Sequence, residues 1–189
     1  MTAPRRVLCL CGSLRRVSSN RAALLAAQQL APPTLQLVLY EGLGALPLFN
    51  PDDESGPLPP PVLDLRRAVG AADALLIACP EYAHGVPGAF KNLLDWLVGS
   101  LEFPGKPVLL LNASARASHH AQASLAEILS TMSTQLLTQH PLSVALPSAG
   151  CTAAQVLASA DRCAELRVVL DRLAAAGSAP PSRPSAIGL

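Results

Sequence analysis

Aromatic side chains make up only 3% of the 189 residues, with one Trp, two Tyr and three Phe. A core built without them is aliphatic, packed from Leu, Ala and Val. Their scarcity also excludes the stacking platforms that grip single-stranded nucleic acid. Charge is sparse as well: 14% of residues are Asp, Glu, Lys or Arg and the formal net charge is +1. No basic stripe is present to track a phosphate backbone. No apolar run approaches the roughly 20 residues of a membrane span. Arg5 and Arg6 precede an apolar run, but Gly12-Ser13-Leu14-Arg15 cuts it too short for a signal peptide. Five cysteines stand at 9, 11, 79, 151 and 163, with no CxxC pair and no Cys/His ligand spacing. Neither a structural zinc nor a dithiol redox centre is supported, so redox chemistry here needs a borrowed cofactor. The expectation is a cytoplasmic protein with no nucleic-acid or membrane partner.

What is present is hydrophobic: half the residues, enough for a sizeable core in a single domain. Short apolar runs predict strands over Val7–Cys11, Leu35–Tyr40, Ala74–Cys79, Pro107–Asn112 and Leu142–Leu146. Helical patterns alternate with them over Asn20–Leu30, Pro61–Gly70, Pro87–Val98, Ser118–Thr138 and Ala153–Ala175. Five βα units with near-continuous apolar strands imply a parallel sheet covered on both faces. In the helix after Pro87, Phe90, Leu93, Leu94, Leu97 and Val98 form an apolar stripe, and Lys91 lies four residues from Asp95. Trp96 sits off that stripe, suited to a subunit interface or to burial within the monomer. Residues 42–61 read as a long irregular connection, of the kind that is functional or mobile. The domain is expected to span residues 1–176, with 177–189 a disordered tail rich in Pro and Ser.

Three segments at strand ends carry the chemistry. Cys11-Gly12-Ser13-Leu14-Arg15-Arg16-Val17-Ser18-Ser19-Asn20 joins the first strand to the first helix. Free N–H groups and the positive end of the helix dipole converge there on an anion. Ser13, Ser18 and Ser19 offer hydroxyls, and Asn20 is placed as the N-cap. Pro80-Glu81-Tyr82-Ala83-His84-Gly85-Val86-Pro87-Gly88 follows the third strand, with two prolines and two glycines fixing a rigid turn. A flat heteroaromatic ring fits against such a turn; so does a plain βα connection with Glu81 near a helix N-terminus and His84 solvated. After the fourth strand comes Asn112-Ala113-Ser114-Ala115-Arg116-Ala117-Ser118-His119-His120. The two adjacent histidines read as helix-surface residues rather than a metal site. In a sheet of order 2-1-3-4-5 all three segments border one crevice at the strand C-termini. There is no GxxxxGK[ST] for a P-loop NTPase and no GxGxxG for a dinucleotide fold. A receiver domain would carry acidic residues where Cys11-Gly12-Ser13 stands.

Gly12-Ser13-Leu14-Arg15 followed by Ser18 and Asn20 resembles the GSLRxxSxN phosphate loop of the NAD(P)H-dependent FMN reductase family. Pro80-Glu81-Tyr82 through His84-Gly85-Val86-Pro87-Gly88, with Lys91-Asn92-Leu93-Leu94-Asp95-Trp96, resembles its PEYNHxxPGxLKNxxDW segment. Leu46-Pro47-Leu48-Phe49-Asn50-Pro51-Asp52 resembles its LPxF/YNxD stretch. The similarity runs from about Val7 to Leu129 with order and spacing kept. It implies a flavodoxin-like three-layer α/β sandwich with a five-stranded parallel sheet, bound FMN, NADPH or NADH as reductant, and a homodimer or homotetramer.

Carried over by position, the resemblance puts Ser13, Ser18 and Asn20 at the FMN phosphate, with Ser19 a further cofactor-binding hydroxyl of that loop and Arg15 beside the phosphate or at the 2′-phosphate of NADPH. Pro80, Glu81, Tyr82 and the backbone of Ala83 would border the isoalloxazine ring, with Glu81, Tyr82 and His84 at the rim to orient substrates, and Ser114 would contact the ribityl chain or pyrimidine edge. Ala83 stands where the family has Asn, and residues 113–118 lack the glycines of many relatives. The implied reaction is ping-pong: hydride from nicotinamide to FMN, then two electrons to a quinone, azo compound, oxyanion or free flavin, with no side chain required as acid or base. The rival is a flavin-binding electron carrier or redox sensor without turnover. Near-neutral charge and few aromatics favour the enzyme.

Overall fold

The computed structural model describes residues 3–114 and 118–176. The chain runs β1 (Arg5–Cys11), α1 (Ser19–Leu30), β2 (Leu35–Leu39), α2 (Pro51–Glu54), α3 (Pro60–Gly70), β3 (Ala74–Ala78), α4 (Gly88–Val98) and β4 (Pro107–Ser114). It continues through α5 (His119–Thr131), β5 (Gln135–Leu136), β6 (Leu142–Ala145), α6 (Ala153–Leu157) and α7 (Ala160–Ala175). All strand pairs are parallel, in the order β2-β1-β3-β4. The fifth position is shared. β5 pairs with the start of β4 at Pro107 and Val108, and β6 pairs with its end from Leu111 to Ser114.

Side chains alternate across the sheet and so create two cores. Val7, Cys9, Leu76, Ala78, Leu109 and Leu111 face α1, α6 and α7, where Ala22, Ala23, Ala26 and Ala27 let α1 approach closely. Leu8, Leu10, Leu75, Ile77, Val108 and Leu110 face α3, α4 and α5. This is the three-layer sandwich and the 2-1-3-4-5 order expected from the sequence. The register places Cys11 beside Ala78 and Ala78 beside Leu111, so β1 and β3 end level and β4 runs three residues further, to Ser114.

Two predicted helices are shorter than expected. The pattern over Ser118–Thr138 gives a helix only to Thr131, because Ser133 takes a left-handed φ of 59° and Thr134 N–H returns to the Leu129 carbonyl at 3.1 Å. The pattern over Ala153–Ala175 divides into α6 and α7, because the Ser159 side chain caps α7 by accepting from Arg162 N–H. The expected tail, 177–189, lies outside the described residues.

The connection over 42–61 is pinned rather than irregular throughout, containing a 3₁₀ turn at Leu43–Ala45 and α2. Phe49 N–H donates to Asn92 Oδ1 at 2.7 Å, while Asn92 Nδ2 and Trp96 Nε1 both donate to the Pro47 carbonyl at 2.8 Å. The Trp96 ring packs edge-on against Phe49 at 5.0 Å. Trp96 is fully buried within the monomer, which resolves its two readings in favour of burial. Arg66 ties α2 down by pairing with Glu54 and donating to the Trp96 carbonyl at 3.0 Å.

Candidate functional site

A cavity of about 890 Å³ opens where the strands end, within the usual size of small-molecule sites. Every site residue expected from the sequence lines it: Ser13, Arg15, Ser18, Ser19, Asn20, Pro80, Glu81, Tyr82, Ala83, His84 and Ser114. Ala113, Ser118, His119, His120, Ser148 and Ala149 line it too. The strand-end rule that picked out three loops also covers a fourth, Pro147-Ser148-Ala149-Gly150 after β6, which sequence reasoning passed over. Residues 115–117 of the third loop lie outside the described residues.

The first loop starts at Gly12, whose N–H donates to the Ala78 carbonyl at 2.9 Å. A Cβ there would stand 2.5 Å from Cys79 Sγ, so glycine is required by the closeness of β1 to β3. The helix cap is Ser18, not Asn20: Ser18 Oγ accepts from Arg21 N–H at 3.4 Å, and α1 begins one residue earlier than predicted. A serine two residues earlier competes for the same cap and has the extended backbone a cap needs. Two first-turn N–H groups are engaged inside the protein, Arg21 with Ser18 and Ser19 with the Ala149 carbonyl at 3.3 Å. The loop's offer to an anion therefore rests on side chains as much as on backbone. Ser18 accepts in that cap, and its hydroxyl also lies within hydrogen-bond reach of the Cys11 thiol. Ser13 Oγ is likewise an acceptor, from Arg15 N–H at 3.2 Å. Asn20 is 4% exposed, and its Oδ1 has no hydrogen-bond partner. A buried amide oxygen without a partner is costly, and a ligand hydroxyl satisfies it directly.

The second loop is a tight hairpin. Tyr82 and Gly85 exchange both backbone hydrogen bonds, at 3.1 and 3.0 Å, around Ala83 and His84. Both central residues are left-handed, with φ of 49° and 58°. The left-handed positions thus fall on Ala and His, beside the glycines that sequence reasoning credited with the turn. Tyr82 stands half exposed at the rim. Glu81 turns inward to α5, where Oε2 accepts from Ala121 N–H at 2.9 Å. That hydrogen bond first, and the neighbouring imidazoles second, hold its carboxyl below the usual range.

His119 and His120 open α5 directly opposite the hairpin tip. His84 stacks on His120 at 4.4 Å between ring centroids, and His120 lies 4.0 Å from His119. His119 and His120 stand exposed on α5, as expected of helix-surface residues, and they also wall the cavity. Nothing local in the sequence shows this, because the stacked pair His84 and His120 joins α5 to a loop 36 positions earlier (120 − 84 = 36).

None of the five cysteines is among the described residues that line the cavity. Cys9 is pushed up to about 12 by burial, and burial raises Cys79 further still. Cys11, at the end of β1, is raised by the same cause.

A family model described as NADPH-dependent FMN reductase matches residues 5–149. The NAD(P)H-dependent FMN reductase of Pseudomonas aeruginosa is 41% identical over 128 residues, covering 64% of this chain and 69% of its own. A quinone reductase of Escherichia coli (strain K12) is 33% identical over 135 residues, covering 66% and 71%. Among solved structures, FerB, a flavoenzyme NAD(P)H:(acceptor) oxidoreductase from Paracoccus denitrificans, superposes with a TM-score of 0.70 at 26% identity, covering 89% of this chain and 97% of its own. The matched span begins in β1 and ends at Ala149, so it takes in each of the four loops around the cavity, and the chain belongs to the NADPH-dependent FMN reductase family.

Proposed function

We propose that the chain is an NAD(P)H-dependent oxidoreductase that binds FMN in this cavity and passes electrons to a small acceptor: a quinone, an azo compound, an oxyanion or free flavin. The observation that carries the reading is the first loop. Buried hydroxyls and a buried, unsatisfied amide face a cavity of ligand size at the positive end of α1. FMN, when bound, supplies hydride acceptance and two-electron delivery, chemistry that no side chain here offers.

The chain's own residues bind and orient. Ser13 and Ser18 would donate to the phosphate with Arg15 as its counter-charge, and Ser19 would join them by turning its hydroxyl from the Ala113 carbonyl, to which it donates at 3.5 Å. Asn20 would take a ribityl hydroxyl on Oδ1, or turn its amide to donate instead. Pro80 to His84 would set the plane of the ring, held by the Tyr82–Gly85 hydrogen-bond pair. Tyr82, exposed at the rim, would orient the incoming nicotinamide or acceptor, which use one place in alternation. Glu81 holds the third loop's helix to the second loop and so fixes the width of the mouth. Assembly as a homodimer or homotetramer and a cytoplasmic location belong to the same proposal. Among the described residues no helix is long and apolar enough to cross a membrane.

Colour is the direct test. Protein purified or reconstituted with FMN is expected to be yellow and to bleach on adding NADPH under nitrogen. A chain that stays colourless with added FMN overturns the reading, and a yellow one that does not bleach makes it a carrier. Ser18→Asp keeps the cap, since Asp caps as well as Ser. The same change sets a carboxylate against the phosphate, and FMN affinity is expected to fall by at least tenfold in a fluorescence titration.

A further inference from the structure

Three of the chain's four histidines meet at one edge of the cavity, arriving from two different elements. His84 comes from the hairpin tip, and His119 and His120 from the first turn of α5. All three are exposed, so the core does not require them there. His84 moreover holds a left-handed backbone, which raises the cost of presenting its ring at that point. His140 lies outside the cavity lining. Among the described residues no group of three or more His, Cys, Asp or Glu is arranged to hold a metal ion.

The other charged or titratable groups lining the cavity, among the described residues, are Glu81 and Tyr82 on the hairpin and Arg15 on the first loop. The Glu81 carboxylate is already engaged with Ala121 N–H. Its single negative charge can balance one protonated imidazole. A second proton, on rings 4.0 to 4.4 Å apart, meets repulsion unless a further negative charge arrives with it. Imidazole is the side chain whose ordinary change of charge falls between about pH 5 and 8.

We infer that His84, His119 and His120 form a proton-linked oxyanion site at the mouth of the cavity, which takes the anionic group of a substrate and gains a proton as it binds. The inference rests on the proposed function only for the source of that group: a phosphate of the nicotinamide dinucleotide, or an anionic electron acceptor.

The test follows the histidine ring signals of the FMN-loaded full chain by NMR from about pH 5 to 8. The probes are adenosine 2′-phosphate for the reductant and a naphthoquinone sulfonate for the acceptor, with inorganic phosphate as reference. Three histidine signals are expected to shift saturably with probe while that of His140 stays. Affinity is expected to weaken about tenfold per pH unit above the midpoint, the slope for one proton gained. Saturation by adenosine 2′-phosphate alone assigns the site to the reductant, and by the sulfonate alone to the acceptor. His120→Gln, at the centre of the stack, is expected to flatten the pH dependence, and His140→Gln to leave it intact. Affinity independent of pH for every probe, or a pH dependence that survives His120→Gln, overturns the inference. A chain that refuses FMN overturns the proposed function instead, and its histidine titration with inorganic phosphate still decides whether the oxyanion site exists.

Discussion

Ala83 holds a backbone conformation that its own side chain disfavours. At φ 49° the Cβ of an L-residue crowds its neighbouring carbonyl, at a cost of about 1–2 kcal/mol that Asn and Gly largely escape. The family motif that this loop resembles has Asn at that position, and the hairpin gives the reason: the amide suits a left-handed residue in a two-residue turn. Ala83→Asn is therefore expected to stabilise the protein by about 1 kcal/mol, read as a higher urea midpoint with an unchanged slope. Glu81 makes an acid-sensitive contact. Its carboxyl is held below its ordinary value of 4.5, first by the Ala121 N–H and then by the imidazoles. A depressed value stabilises the fold above the unfolded value and is lost as pH falls through the folded one. Glu81→Gln is expected to lower the melting temperature at neutral pH, with the difference from wild type closing in acid as the wild-type carboxyl gains its proton.

At the scale of elements, two stretches of the sequence motif turn out to serve each other. Leu46 to Asn50 and the Asn92–Trp96 face of α4 are joined by three hydrogen bonds and an aromatic edge contact, away from the cavity. Asn92→Ala removes both partners of its amide and is expected to cost about 2 kcal/mol, with faster amide exchange at Phe49. The strands themselves were legible, because a parallel sheet buried on both faces leaves near-continuous apolar runs. β5 was not: two residues give no period, and its place is set by Gln135 N–H reaching the Lys106 carbonyl at 3.0 Å. The end of α5 was hidden likewise, since Ser130 to Thr138 contains no Gly or Pro and only the conformation of Ser133 stops the helix. Of the cavity, the eleven residues named in advance all line it, because chemistry clusters at strand ends in such sheets. His119 and His120 belong to the third segment but carry no sign in the sequence that they face His84, and Ser148 lies in a loop that sequence reasoning passes over, because both places depend on which elements the fold sets face to face.

At the scale of the molecule, the cavity is where four loops from four strands meet, and a ligand held there ties them together. FMN bound as proposed shifts unfolding by mass action, by about 2.7 kcal/mol at a hundredfold excess over its Kd. A thermal scan is expected to show a melting temperature that climbs with FMN concentration in wild type and hardly moves in Ser18→Asp. The aliphatic composition has an optical side as well. Trp96 is the chain's single tryptophan, shielded from water and hydrogen-bonded to the Pro47 carbonyl. Its emission is therefore blue-shifted while the 46–50 segment stays docked and moves to the red when that segment detaches. Indole emission overlaps flavin absorption, so one native fluorophore reports both the clamp on α4 and the filling of the cavity, with no label introduced.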